Sequence, residues 1–223
     1  MVSMDSLTVA LMGWAHWLGY GVTLALAALL ALVVLWRGAF AVMSMRMWWG
    51  IALGWHIFYA TVLTVAQYRM WNANEITREL VTTPLGEEVP RMLLHAPISL
   101  FLEGSGGYYV FYAYSRFWVP LMLALLGTLV LYGIFRFLQH RKPVAVGREE
   151  VLLVSGIAFL AGWPNMVAFV SLAFVLSLVY AVWAHVRHGA AARTRMLPGI
   201  IAAAIATLLF SATIAAYTAT LAV

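Results

Sequence analysis

Residues 150–186 read EVLLVSGIAFLAGWPNMVAFVSLAFVLSLVYAVWAHV, two apolar runs split by Gly162-Trp163-Pro164-Asn165. The second run, Asn165 to Val186, is long enough for a helix to cross the ~30 Å hydrocarbon core of a bilayer. The first, Val151 to Gly162, reaches only about 20 Å at a rise of about 1.5 Å per residue. Glycine and proline interrupt a helix, so the pattern predicts a short helix joined by a tight hairpin to a full span. A re-entrant segment is the alternative, and the choice decides how the chain is threaded.

The whole sequence has the same character. Of its 223 residues, 65% are hydrophobic and 9% charged, cysteine is absent and the mean hydropathy is +0.93. Soluble domains carry roughly 25% charge, and disordered chains are poor in aromatics, which here make up 14%. The composition is that of an integral membrane protein. Without cysteine there are no disulfides, thiolate nucleophiles, iron–sulfur clusters or thiolate zinc sites. The net charge of +5 comes with no RRM, helix-turn-helix or zinc-finger pattern, so lipid and not nucleic acid is the expected partner. The uncharged-to-acidic start, Met1 to Ser6, lacks a basic n-region, and the apolar run behind it exceeds a signal-peptide core of about 7–15 residues. It reads as a retained first helix.

Further apolar runs extend from about Thr8 to Trp36, Ala39 to Gln67, Tyr109 to Leu138 and Pro198 to Ala222. With the two quoted above they predict an all-α polytopic membrane bundle of about six helices, one integral domain over residues 1–223. Basic residues set the orientation. Arg37, Arg46, Arg136, Arg141, Lys142, Arg148, Arg187, Arg193 and Arg195 share one face if there are six spans, and only Arg69, Arg78, Arg91 and Arg116 fall on the other. Positive charge stays cytoplasmic, so both termini are expected outside, in a membrane of bacterial cytoplasmic type. The extracytoplasmic loop at about 68–108 holds Glu75, Glu79, Glu87, Glu88 and Glu103. Within it Asn72 or Asn74 can cap a short helix through Val81. Met92 to Leu102, broken by Pro97, is greasy enough to lie on the bilayer or under a partner. Gly104 to Gly107 forms a joint before the next helix.

Three constellations bear on function. His16 and His56 lie on adjacent antiparallel helices at depths expected to differ by about 4–5 Å. Two imidazoles so placed can hold a b-type haem or a metal, or simply hydrogen-bond across helices. An aromatic cluster, Tyr108, Tyr109, Phe111, Tyr112, Tyr114, Phe117 and Trp118, encloses Arg116. It reads as an interfacial belt or as a platform for a quinone, pigment, lipid or partner helix, with Arg116 on a phosphate or carboxylate. Trp48-Trp49 reads as a belt on the other face. In the last helix Gly199, Ala203, Thr207, Ser211, Ala215 and Ala219 form an i+4 stripe of small residues, the pattern that lets helices approach closely in lipid.

Gly147-Arg148-Glu149-Glu150, the apolar run behind it, Gly162-Trp163, and then Leu197-Pro198-Gly199 after a basic loop resemble the C-terminal half of type IV prepilin peptidases over about 80 residues. In that family Gly-x-Gly-Asp opens such a helix. Here Glu149 stands in place of the second glycine and Glu150 in place of the catalytic aspartate, and the one aspartate of the chain is Asp5. The resemblance therefore implies a proteolytically dead relative, since a two-carboxylate mechanism needs both acids near one water. Ser105 lacks a nucleophile elbow, and no HExxH, P-loop or dinucleotide fingerprint occurs. The midplane is nearly free of ionisable groups, against the usual pattern of a transporter. The expected function is a non-catalytic membrane subunit of a larger complex, supplying packing surface and lipid, pigment or quinone contact. The alternatives are a haem b anchor of an electron-transfer complex, a small-solute channel or transporter, and the dead peptidase-like protein.

Overall fold

A computed structural model describes residues 17–31, 40–85, 105–141, 146–188 and 196–210, and every described element is helical. Seven helices follow in chain order: α1 (Trp17–Ala31), α2 (Phe40–Ala73), α3 (Glu75–Thr82), α4 (Gly107–Arg141), α5 (Arg148–Ala161), α6 (Asn165–His188) and α7 (Leu197–Leu209). Among the described residues three stretches are long and apolar enough to cross a membrane, Met47–Ala73, Gly107–Arg141 and Asn165–Arg187. The protein is thus membrane-embedded, and every element among its described residues is a helix.

Boundaries differ from expectation between α2 and α4. The loop expected from about residue 68 is still helix as far as Ala73, and α4 begins at Gly107. Nothing between Gln67 and Ala73 breaks a helix, since no glycine or proline falls there and Tyr68, Met70 and Trp71 continue the apolar pattern. Asn74 then ends one helix and starts the next: its side chain accepts the Ile76 N–H at 3.0 Å, the N-cap bond that satisfies an orphan donor of the first turn.

The chain divides into two compact units. The first comprises the start of α1, α2 from Gly54, α3 and α4 as far as Pro120. Its core is Trp71, Val81, Tyr109 and Ala113, with Met70, Leu80, Tyr108, Val110, Tyr112 and Phe117 packed around them. Entry into α4 requires a glycine. Gly106 has φ +90, and a Cβ there would sit 2.8 Å from the Val81 carbonyl oxygen. L-residues with side chains rarely adopt that backbone conformation.

The second unit comprises the rest of α1 and α2, α4 from Leu121, and α5 to α7. Its centre is the short helix α5, in which ten of fourteen residues are buried. Gly156 lets other elements close on it: a Cβ there would meet Leu30 at 2.5 Å and the Trp48 ring at 3.1 Å. Trp49 lies against Phe159, ring centroids 5.4 Å apart. Trp48 is only 1% exposed, and its indole N–H donates to the Leu26 carbonyl at 3.1 Å. The belt position expected for Trp48 is therefore corrected, because the ring fills the space over Gly156 and its one polar atom finds a backbone acceptor inside the protein. At Gly162 the backbone turns with φ +70, a conformation suited to glycine, and α6 begins three residues later.

Candidate functional site

Three of the expected aromatic residues, Tyr108, Tyr109 and Tyr112, meet around Trp71. Its ring lies 4.6 Å from Tyr112, 5.7 Å from Tyr109 and 6.2 Å from Tyr108, centroid to centroid. Tyr68 stands edge-on to Tyr109 at 5.4 Å. These are the offset and edge-to-face separations that aromatic pairs favour. The buried hydroxyl of Tyr109 donates to the Thr64 carbonyl. Trp118 Nε1 donates to Thr64 Oγ1 at 3.2 Å, and that hydroxyl donates in turn to the Ala60 carbonyl at 2.8 Å. Thr64 on α2 is thus the polar anchor for two rings of α4, a role that sequence reasoning missed because a mid-helix threonine carries no pattern of its own.

Arg116 sits in a π turn, Tyr114–Trp118, inside α4. Proline explains it. Pro120 has no N–H to offer the Arg116 carbonyl four residues back, and its ring would press on that oxygen. Widening the turn relieves both, and the Val119 N–H bonds Tyr114 five residues back instead. The extra residue leaves Arg116 exposed while Phe117 and Trp118 are half-buried. The signal was in the sequence, as a proline one turn past Arg116.

His56 is half-buried on α2. Beside it, Trp55 stacks on Tyr59 at 5.8 Å and 21°. Tyr59 in turn covers Gly19 of α1, where a Cβ would come within 2.6 Å of the ring. His16 lies outside the described residues, so the haem pair is represented by His56 alone. Among the described residues no three of His, Asp or Glu converge as metal ligands would.

The small-residue stripe has a partner within the chain. Gly199, Ala203 and Thr207 are all buried. A Cβ on Gly199 would run into the backbone N and Cα and the Oγ of Ser177 on α6. Ser177 Oγ also donates to the Met196 carbonyl at 3.2 Å. The stripe places α7 against α6, beginning eleven residues before the end of α6 at His188 (188 minus 177), or about 16 Å along its axis. Ser211, Ala215 and Ala219 lie outside the described residues.

Glu150, at the position of the peptidase aspartate, is 3% exposed. Its Oε2 accepts the Gly147 N–H, so it closes the first turn of α5 as a capping carboxylate does. No protein-family model, no curated protein and no solved structure matches the chain.

Proposed function

We propose that the chain is a non-catalytic integral membrane subunit of a larger membrane assembly, contributing helix-packing and lipid-contact surface. The observation that carries this reading is how little of its long apolar helices the chain covers by itself. The most apolar window is 11% buried in the span Met47–Ala73, 17% in Gly107–Arg141 and 22% in Asn165–Arg187. In a membrane bundle the remaining apolar surface turns to acyl chains or to other helices. Large side chains such as Ile57, Phe58, Leu126, Leu129, Val175 and Leu178 face outward, where acyl chains or neighbouring subunits cover them. The aromatic cluster fits the same reading: Tyr108, Tyr109 and Tyr112 pack on Trp71, and Arg116 is exposed, open to a headgroup or a partner carboxylate.

The threading that fits best is six crossings, with the arginine-rich turns cytoplasmic and both termini outside a bacterial cytoplasmic membrane. In favour of α5 as a short crossing is its enclosure by other helices. A segment too short for the hydrocarbon is tolerated where protein surrounds it.

Gentle detergent extraction from native membranes, at native abundance, tests the subunit reading. The chain is expected to migrate with other polypeptides far above its own 24.6 kDa. Recovery as a lone, monodisperse monomer overturns the reading.

A further inference from the structure

The C-terminal part of α4 and the start of α5 border an open pocket of about 250 Å³, lined by Tyr132, Arg136, Gln139, Arg148, Val151 and Leu152, with Tyr132, Arg136 and Arg148 exposed. Tyr132, Arg136 and Gln139 are spaced i, i+4, i+7 and so share one face of α4. Arg148 is the first residue of α5. Arg136 Nη1 donates to Gln139 Oε1 at 2.6 Å. That bond orients the guanidinium, uses one of its five donors and none of its charge, and leaves the Gln139 NH₂ group to donate elsewhere. The carboxylates of the same turn fold toward Gly147. Glu150 Oε2 accepts its N–H, and Glu149 Oε2 lies 4.0 Å from where a Cβ would stand on it. Neither is among the residues that line the pocket, so among the described lining residues the donors converge without a carboxylate. Val151 and Leu152 complete the wall with apolar carbon, as in a site where a few placed polar groups fix the ligand. A second hollow of about 630 Å³ adjoins it, sharing Arg136 and Gln139 and adding Phe137 and His140.

We infer that this pocket binds the phosphate group of an anionic ligand, a phospholipid headgroup or free phosphate. Two guanidinium forks from different helices, a phenol and an amide donor are the chemistry that recognises phosphate oxygens, bidentately where the geometry allows. Basic pockets between helices are one form of lipid headgroup site. The inference goes beyond the subunit reading and stands without it, since a monomer would keep the site.

The purified, delipidated full-length chain is titrated with phosphatidylglycerol, with diacylglycerol and with inorganic phosphate, and bound species are counted by native mass spectrometry. One saturable phosphatidylglycerol site and none for diacylglycerol are expected. Arg136→Gln and Arg148→Gln should each weaken binding about tenfold, the scale of a charge-assisted bond, and Arg78→Gln on α3 should not. Phosphatidylglycerol that millimolar phosphate does not displace identifies a headgroup site. Phosphate that itself binds at one site and competes identifies a free-anion site, and both results support the inference. If the glutamine variants do not fold, Arg136→Lys and Arg148→Lys keep the charge, lose the fork and should bind several-fold more weakly. Binding unchanged in the arginine variants, or equal binding of diacylglycerol, overturns the inference.

Discussion

Single residues here are constrained mainly by how closely two helices pass. Gly199 and Gly133 are both helical glycines, yet a Cβ at Gly199 meets the Ser177 backbone, while at Gly133 nothing lies within 4 Å. Gly199→Ala should therefore cost about 1–3 kcal/mol by overpacking, since backbone cannot swing aside as a side chain does. Gly133→Ala should be neutral or stabilising by roughly 0.5–1 kcal/mol through helix propensity. Thermal unfolding of the two variants in one detergent compares them directly, and equal melting would mean that α7 does not press on α6. Tyr109→Phe removes the hydroxyl that donates to the Thr64 carbonyl, so a loss of about 0.5–1.5 kcal/mol is expected. A Tyr109→Phe protein as stable as the parent would show that the bond contributes nothing. Trp48 shows why such roles are hard to read in advance. An exposed belt tryptophan and a buried one have the same local sequence, and only the glycine at position 156, over a hundred residues away, makes room for the ring.

At the level of elements, the apolar runs announced the helices, because in lipid a spanning segment must satisfy its own backbone and bury no charge. The short helix before Gly162 and the long one after it were legible for that reason, and so was an asparagine cap ahead of α3. Partners were not legible. The stripe at Gly199, Ala203 and Thr207 declared close packing but not against which helix, and α6 answers because Ser177 offers its backbone there. Nor was the convergence of Tyr132, Arg136 and Gln139 with Arg148, since a pocket between two helices has no periodicity in either. Asn74→Ala should remove the cap of α3, costing about 1 kcal/mol. The Ile76 amide, bonded to Asn74 Oδ1, should then exchange with solvent faster than in the parent, and unchanged exchange would contradict the capping role. Pro120→Ala restores an N–H to the helix ladder and should let the π turn close to regular helix. Closure rotates Trp118 away from Thr64, read as a red shift of Trp118 emission in a variant retaining that tryptophan alone. Emission at the parent wavelength would show that proline is not what opens the turn.

For the molecule as a whole, the proposed function depends on threading. Six crossings bring nine of the thirteen basic residues to one face. That count needs α5, at fourteen residues, to cross inside a jacket of other helices, and α7 to continue across from a start beside the middle of α6. A chain without cysteine is well suited to asking this, because every label goes where a cysteine is placed. Cysteines put singly at positions 142 and 190 flank the α5–α6 hairpin, and membrane-impermeant thiol reagent applied from each side of sealed vesicles reports their faces. Six-fold threading predicts that both react from the cytoplasmic side and neither from outside. Reaction from opposite sides would make α5 re-entrant, divide the basic turns between two faces and contradict the proposed topology.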